Sequence, residues 1–187
     1  MNQHPQNKFN IYELTLIALM AAVIAVMAQI SVPLGPVPFT LQTAVIPGLL
    51  LLLNRRAALI CLVVYLLLGL IGLPVFSAGR AGPGILLGPS GGFLFGFFPA
   101  ILLGKLLLGK ATEPLLWRAF IASTIAVYTT FVFGTIQYAI VMGVTLQQAF
   151  ITAALPFLLG DLAKIIIFTP LFWKVARILR RLFPQHF

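Results

Sequence analysis

Six long apolar segments, separated by short polar or proline-rich stretches, make up most of the chain. A helix needs about 20 apolar residues to cross a hydrocarbon core of roughly 30 Å. Most of the six segments approach this length, and the second is shorter. We therefore predict six transmembrane helices, at about residues 11–30, 41–53, 54–73, 93–108, 116–142 and 155–175.

Prolines and glycines interrupt the apolar pattern at two main places. Three prolines in V-P-L-G-P-V-P-F, residues 32–39, forbid a continuing helix and predict a rigid first loop. The stretch P-V-F-S-A-G-R-A-G-P-G-I-L-L-G-P-S-G-G, residues 74–92, is punctuated too often for a spanning helix and predicts a long structured loop, here called the Gly/Pro loop. Such backbone is tolerated near a bilayer only where protein or a watery cavity satisfies its polar groups. A smaller interruption, Pro47-Gly48, predicts a kink in the short second helix.

The composition excludes a water-soluble fold. Apolar residues make up 61% of the 187 residues and charged residues 8%, whereas soluble domains carry roughly 45–50% and about 25%. We expect one all-α domain over residues 1–187 that crosses the cell membrane several times and has no separate soluble module. The polar residues 1–10 indicate a cytoplasmic lead-in and not a cleaved signal peptide.

The net charge of +9 at pH 7 becomes informative when it is set against the membrane. A nucleic-acid-binding protein concentrates its basic residues on a solvent-facing fold, so we expect no nucleic acid as a partner. Cytoplasmic loops are enriched in Lys and Arg. If both termini are cytoplasmic, only Arg80 and Lys164 of the 12 basic residues lie outside or in the interior, and the Gly/Pro loop lies on the outer face. The other ten are cytoplasmic: Lys8, Arg55, Arg56, Lys105, Lys110, Arg118, Lys174, Arg177, Arg180 and Arg181.

Asp161 is the one acidic residue inside a predicted span, because Glu13 and Glu113 lie at predicted cytoplasmic helix ends. With Lys164 it forms G-D-L-A-K, an i, i+3 pair on one helix face. Each charge placed mid-helix costs about 2.5–3.5 kcal/mol on insertion scales, so the pair either lines a cavity or neutralises itself as a packing pair. Acceptors and donors side by side suit a neutral polar group or a zwitterion.

Several kinds of chemistry are excluded by the residues that the chain lacks. One interior carboxylate without an interior His provides no ligand set for Zn²⁺ or Mg²⁺, and Cys61, the single cysteine, excludes an intrachain disulfide. The stretch G-K-L-L-L-G-K, residues 104–110, has the spacing of a nucleotide-binding loop. However, Ala111 replaces the Ser or Thr that holds Mg²⁺, and an apolar helix precedes it instead of a strand. We expect no cofactor, no ATP hydrolysis and no enzymatic activity.

Other polar and small residues leave two interpretations open. Gln42 and the pair Gln137-Tyr138 lie at apolar depth, where they either join helices by hydrogen bonds or face a ligand. Arg80 is either exposed to solvent or placed to meet an anionic ligand tail. In the first helix, Ala18/Ala22 and Ala21/Ala25 form a smooth stripe for close helix approach, either within the bundle or to a partner subunit.

Four motifs follow one another along the chain: V-P-L-G-P-V-P-F-T-L-Q (32–42), G-L-P-V-F (72–76), G-P-S-G-G-F (88–93) and G-D-L-A-K (160–164). In this order and spacing they closely resemble the BioY family, the biotin-specific S components of energy-coupling-factor (ECF) transporters, nearly end to end. The resemblance implies a substrate-capture subunit with a membrane T component and two ATPase subunits as partners. It also implies that Ala18, Ala22 and Ala25 dock on the T component, and it suggests the Gly/Pro loop as a lid.

The resemblance further implies which residues meet the ligand. Asp161 and Lys164 match the family's Asp and Lys, which hydrogen-bond the ureido ring of biotin. Ser90 and Phe93 replace the family's usual Thr and Tyr, so one hydroxyl is kept and one is lost. The ligand residues we expect are Phe39, Thr40, Gln42, Phe76, Arg80, Gly88, Ser90, Gly91, Phe93, Tyr138, Asp161 and Lys164.

A function of a different class remains as the alternative. It is a stand-alone secondary transporter or small channel that acts as a homo-oligomer. The lack of an internal repeat and of relay acids argues against it. A membrane enzyme is disfavoured further by the scarcity of acidic residues and histidines.

Overall fold

The computed structural model describes residues 10–109 and 114–184, which are mostly helical. A two-stranded antiparallel hairpin, β1 (Ser31–Val32) and β2 (Phe39–Thr40), follows the first helix. Short 3-10 turns cover Gln42–Val45 and Ser77–Gly79. The helices are α1 (Ile11–Gln29), α2 (Ile46–Leu52), α3 (Arg55–Leu70), α4 (Pro83–Leu87), α5 (Gly91–Phe95), α6 (Phe97–Leu108), α7 (Leu116–Met142), α8 (Leu146–Ala153) and α9 (Leu155–Leu182).

Four helices in the described part of the chain are long and apolar enough to cross a membrane: Ile11–Gln29, Gly91–Leu108, Leu116–Met142 and Leu155–Leu182. The second of these joins α5 and α6. The two other predicted spans also form helices, but shorter ones: a continuous run, Gln42–Leu52, and α3, which has 16 residues. The protein is thus a mostly helical membrane protein, as the apolar pattern predicts.

Local sequence explains where the helices begin. Asn10 accepts the N–H of Tyr12 at 3.3 Å at the start of α1, and Asn54 accepts that of Ala57 at 2.9 Å at the start of α3. Such caps satisfy N–H groups that have no partner within the helix. Pro47 lies in the first turn of α2, where its missing N–H costs no helical bond. Just before Pro47, where a kink was predicted, the 3-10 turn Gln42–Val45 changes to the α-helix α2.

The Gly/Pro loop is ordered, as predicted, and contains a 3-10 turn and α4. Its last residues already belong to α5, so the fourth apolar helix begins at Gly91 and not at 93. A Cβ at Gly91 would lie 1.8 Å from the Leu86 oxygen, and one at Gly92 would lie 2.4 Å from the Phe133 oxygen. Glycine at these positions therefore lets α5 approach the backbones of α4 and α7.

The end of the chain differs from the prediction in two respects. The last helix, α9, continues through Pro170 to Leu182 instead of ending near 175. Arg180 and Arg181 in its last turn complement the negative end of the helix dipole. The additional helix α8 begins with a capping box in which Thr145 and Gln148 bond each other's backbone. With only eight residues, α8 is too short for the long apolar pattern that predicts a membrane span.

The long helix α7 lies at the centre of the bundle and contacts α2, α5, α6, α8 and α9. Small side chains make this possible, since Ala119, Ala122 and Ala126 on α7 are almost completely buried. Large apolar residues such as Ile140 and Leu159 remain exposed on the outer faces of the helices. An apolar exterior is what a lipid environment requires.

Candidate functional site

A cavity of about 70 Å³ lies where the β1–β2 hairpin and the Gly/Pro loop meet the helix bundle. Its wall combines aromatic rings with a few polar groups, as small-molecule pockets do. The expected ligand residues that line it are Phe39, Thr40, Gln42, Phe76, Ser90, Phe93, Asp161 and Lys164. The other lining residues are Val37, Pro38, Thr43, Ser77, Ile85, Leu94, Phe97, Phe131 and Phe157.

Asp161 and Lys164 form a buried ion pair on α9, with exposures of 2% and 5%. The ammonium of Lys164 donates to Asp161 Oδ1, to Thr43 Oγ1 at 3.1 Å and to the Thr40 backbone oxygen at 2.5 Å. The hydroxyl of Thr43 also donates to Asp161 Oδ1 at 2.9 Å. The two charges therefore satisfy each other and line the cavity, so both interpretations of the G-D-L-A-K motif describe part of the arrangement.

The ring of Phe39 covers this ion pair. Lys164 Nζ lies 3.7 Å from its centroid, and Phe157 stacks on it with centroids 5.8 Å apart and planes at 8°. A Cβ at Gly160 would lie 2.5 Å from the tip of the Phe39 ring. The glycine of the G-D-L-A-K motif therefore makes room for an aromatic wall of the cavity.

A second polar chain starts at Gln42, which is 7% exposed and lines the cavity. Its Nε2 donates to the Tyr65 hydroxyl at 2.8 Å, and that hydroxyl donates to the Val75 oxygen at 3.0 Å. Gln42 thus joins elements by hydrogen bonds and also faces the cavity. The phenol of Tyr65 links the 3-10 turn to the Gly/Pro loop.

Arg80 does not line the cavity. It donates from Nε to the Ser77 oxygen at 3.0 Å and from Nη2 to Ser77 Oγ at 2.7 Å. Ser77 does line the cavity, because the turn directs it inward. The guanidinium therefore supports a wall residue and is not itself a wall residue.

Gly88, Gly91 and Tyr138 also lie away from the cavity wall. Gln137 donates to the backbone oxygens of Leu86 and Gly88, both at 2.8 Å, and so ties the loop to α7. A Cβ at Gly91 would lie 2.6 Å from Gln137 Nε2, so this glycine allows the close approach, and Tyr138 is buried among apolar side chains. Both halves of the Gly/Pro loop are thus hydrogen-bonded to helices, Val75 to Tyr65 of α3 and Leu86 and Gly88 to Gln137 of α7.

Nine wall residues were not expected from the sequence, and three of them, Thr43, Phe131 and Phe157, show which signals the sequence offered. Thr43 follows Gln42 directly, and Phe157 precedes Asp161 by one helical turn. Phe131, on α7, packs edge-on against Phe93 with centroids 5.8 Å apart. The one-turn spacing on α9 was a usable signal for Phe157, whereas the contact between α5 and α7 had none in the sequence.

The small residues of α1 separate into two faces. Ala18 and Ala22 are exposed and Ala25 is half-buried, whereas Ala21 is 3% exposed and packs inside the bundle. The pair Ala18/Ala22 therefore offers a smooth outward surface.

At the opposite end of the bundle, two predicted cytoplasmic bases bind backbone. Lys105 donates to the oxygens of Leu50, at 2.7 Å, and Leu53, and Arg180 donates to that of Leu51 at 3.0 Å. These carbonyls lie at the end of α2, where the helix itself supplies no partner for them. The predicted cytoplasmic residues Lys8, Lys110 and Glu113 lie outside the described residues.

Within residues 10–109 and 114–184, no group of three His, Cys, Asp or Glu residues lies together. The polar wall of the cavity holds one carboxylate, one ammonium, an amide and several hydroxyls. Such a set binds a small polar ligand by hydrogen bonds.

Comparison with known proteins agrees with the motifs. The model of the BioY family matches residues 1–181. Biotin transporter BioY2 of Lactococcus lactis subsp. cremoris (strain MG1363) is 36% identical over 165 residues, 85% of this chain and 87% of that protein. Biotin transporter BioY of Thermotoga maritima is 36% identical over 154 residues, 80% of this chain and 86% of that protein.

A solved structure is similar as well. The crystal structure of the S-component for biotin from an ECF-type ABC transporter matches with a TM-score of 0.78 and 29% sequence identity, over 96% of this chain and 95% of that chain. The match of the family model spans both proline-containing loops and the ion pair of α9. This chain is therefore a multi-pass membrane protein that belongs to the BioY family.

Proposed function

We propose that this chain is the substrate-binding S subunit of an ECF-type vitamin transporter and that it captures biotin from the outer side of the cell membrane. The observation that carries the proposal is the buried pair of Asp161 and Lys164 on the wall of a cavity in a BioY family member. The names of the related biotin transporters and of the similar S component support it.

The ureido group of biotin is complementary to this pair. It has two N–H donors and one carbonyl acceptor, while Asp161 keeps Oδ2 for a donor because Oδ1 already accepts from Lys164 and Thr43. The three N–H groups of Lys164 already have acceptors, so a ligand carbonyl must replace one of them. The Thr40 oxygen belongs to the hairpin and is the replaceable acceptor. When biotin binds, Lys164 thus exchanges its hydrogen bond to the Thr40 oxygen for one to the ligand carbonyl, and its number of hydrogen bonds stays the same.

The rest of biotin fits the apolar part of the wall. Its fused rings can lie against Phe39, Phe76 and Phe93, which need no polar partner. For the carboxylate tail, Ser77 offers a hydroxyl whose oxygen already accepts from Arg80. Arg80 then acts on the tail through Ser77, and Gln42, Ser90 and Tyr138 complete or support the site.

The partners and the topology follow from the same proposal. A membrane T component docks on Ala18, Ala22 and Ala25 of α1, and two ATPase subunits supply the energy that this chain cannot supply itself. Residues 1–187 form one domain with six membrane segments and both termini in the cytoplasm, with Gln42–Leu52 and α3 as the second and third. Neither a cofactor nor an enzymatic activity is expected.

The stand-alone transporter is disfavoured by one feature of α2. In many ion-coupled carriers, the carbonyl ends of interrupted helices coordinate the driving cation. Here Lys105 and Arg180 already occupy the carbonyl end of α2. The side chains of Lys105 and Arg180 therefore take the position that an exchangeable driving cation would occupy in such a carrier.

Biotin binding to the purified chain tests the proposal. We expect the wild-type chain in detergent to bind biotin in calorimetry, and Asp161→Asn to weaken binding about 100-fold, because a charge-assisted hydrogen bond is worth roughly 1.5–3 kcal/mol. Glu13→Gln is the matched control, since Glu13 bonds Asn54 at the far end of α1. Equal binding by wild type and Asp161→Asn would contradict the assignment.

Uptake into liposomes separates the two functions. We expect vesicles that contain this chain alone to accumulate no labelled biotin, and vesicles with T and ATPase subunits to accumulate it in the presence of ATP. Accumulation by the chain alone would favour the stand-alone transporter.

A further inference from the structure

The side-chain amide of Gln29 joins the outer end of α1 to the Gly/Pro loop. Its Nε2 donates to the backbone oxygens of Pro74 and Phe76, both at 3.2 Å, and to that of Ala25 at 3.0 Å. Its Oε1 accepts the N–H of Gly79 at 2.8 Å. The bond to Ala25 is local, whereas the others reach a segment 45 or more residues further along the chain. One amide therefore holds both sides of the turn that follows Phe76.

That turn has an unfavourable backbone conformation. The N–H of Phe76 donates to the Arg80 oxygen at 3.0 Å and closes the turn. Inside it, Ala78 has φ 57° and ψ 39°, and it is the only non-glycine residue with a positive φ in the described part of the chain. Alanine disfavours this left-handed region, so surrounding contacts must hold it there. The bond from Gly79 to Gln29 is such a contact, one residue further along.

The turn sets the positions of two residues of the cavity wall. Phe76 and Ser77 are 1% and 7% exposed and both line the cavity. The ring of Phe76 packs edge-on against Tyr65 with centroids 5.7 Å apart. A rearrangement of the turn would therefore move an aromatic wall and a hydroxyl at the same time.

We propose that Gln29 is a positioning residue for ligand binding, acting through the Phe76–Arg80 turn. The inference rests on the proposed function and deepens it, because it connects the pocket to α1, the helix that carries the exposed alanines Ala18 and Ala22. Gln29 does not line the cavity itself. Its amide fixes the outer end of α1 and the pocket wall relative to each other, so a change at one is transmitted to the other.

The test replaces the amide by an apolar group of similar size. We expect Gln29→Met to weaken biotin binding about tenfold, the loss of one to two net hydrogen bonds, with a melting temperature close to that of wild type. Gln147→Met is the matched control, because Gln147 is an exposed glutamine on α8 away from the cavity. Binding by Gln29→Met at the wild-type affinity overturns the inference. Should Gln29→Met not fold, the second variant is Gln29→Glu, which keeps the acceptor for the Gly79 N–H but loses the donors to Pro74 and Phe76. We expect Gln29→Glu to bind biotin more weakly than wild type, and binding at the wild-type affinity overturns the inference.

A rescue experiment separates positioning from a general loss of structure. Glycine adopts the left-handed region freely, so Ala78→Gly in the Gln29→Met background is expected to restore most of the lost affinity. Failure of Ala78→Gly to restore any affinity would show that Gln29 does not act through the turn.

Hydrogen exchange provides a readout that needs no ligand. In Gln29→Met the amide of Gly79 loses its acceptor, and we expect faster exchange in the segment 74–82 than in wild type. Unchanged exchange there overturns the inference whether or not the chain binds biotin. A wild-type chain that fails to bind biotin counts against the proposed function, while the exchange result still decides the role of Gln29.

Discussion

A lysine lies at each end of the helical run Gln42–Leu52, and the two have different surroundings. Lys164, near the Gln42 end, pairs with Asp161 and lines the cavity. Lys105, at the other end, donates to backbone oxygens, including that of Leu50 at 2.7 Å, and does not line that cavity. Both are charges in an apolar bundle, and both donate to backbone carbonyl oxygens.

The comparison shows that a buried charge is not by itself a sign of a ligand site. Lys105 donates to carbonyl oxygens at the end of α2, where the helix itself supplies no partner for them. Lys164 also donates to backbone, at the Thr40 oxygen, but it has an acidic partner and an adjacent cavity. The space beside the charge distinguishes the two roles.

The largest expected effect comes from Lys164→Met. We expect biotin binding to weaken about 100-fold or more, because the substitution removes a charged donor and leaves Asp161 without its counter-charge. The measurement is calorimetry on detergent-purified protein. Lys174→Met is the control, since Lys174 is exposed near the end of α9. Wild-type affinity in Lys164→Met would remove the basis for distinguishing the two lysines.

The second substitution, Lys105→Met, is expected to act on stability and not on binding. We expect the free energy of unfolding to fall by about 2 kcal/mol, since the oxygens of Leu50 and Leu53 lose their donor. The dissociation constant for biotin should stay within about threefold of the wild-type value. Denaturant titration in mixed micelles, with binding measured in parallel, checks both. A large loss of affinity at full stability would assign Lys105 to the ligand site.

A smaller effect on biotin binding is expected from Thr43→Val, near the Gln42 end of the same helical run. The isosteric change removes the hydroxyl that donates to Asp161 and accepts from Lys164. We expect about tenfold weaker biotin binding, equivalent to about 1.4 kcal/mol. Thr129→Val is the control, because the Thr129 hydroxyl bonds only within α7, to Ile125. Equal losses in the two variants would show that Thr43 has no special role.

Much of the fold could be predicted because membrane helices are determined by local composition. The fifth segment, 116–142, was predicted with both ends correct, and the ends of α1 and of the segment Gly91–Leu108, which joins α5 and α6, were within one or two residues. The short helix α8 was missed, and the end of α9 was placed too early. Both lie where polar residues replace the apolar pattern, so hydropathy carries no information about helix formation there.

Part of the candidate site was equally accessible. An acid and a base inside a span are costly wherever they lie, so G-D-L-A-K indicated the polar centre of the cavity from the sequence. Arg80 shows the limit of such reasoning. Its charge in the Gly/Pro loop left solvent exposure and contact with a ligand tail open, and the turn places the guanidinium on Ser77, which lines the cavity.

The sequence by itself determined that this protein is a helical membrane protein with one polar centre, because burying charge in hydrocarbon has a cost that no later packing removes. Only the tertiary structure decided which side chains surround that centre. Thr43 meets Asp161 across 118 residues of chain, and Phe39 meets Phe157 between the hairpin and α9. Such contacts depend on how separate helices pack, and the spacing of residues along the chain does not encode that packing.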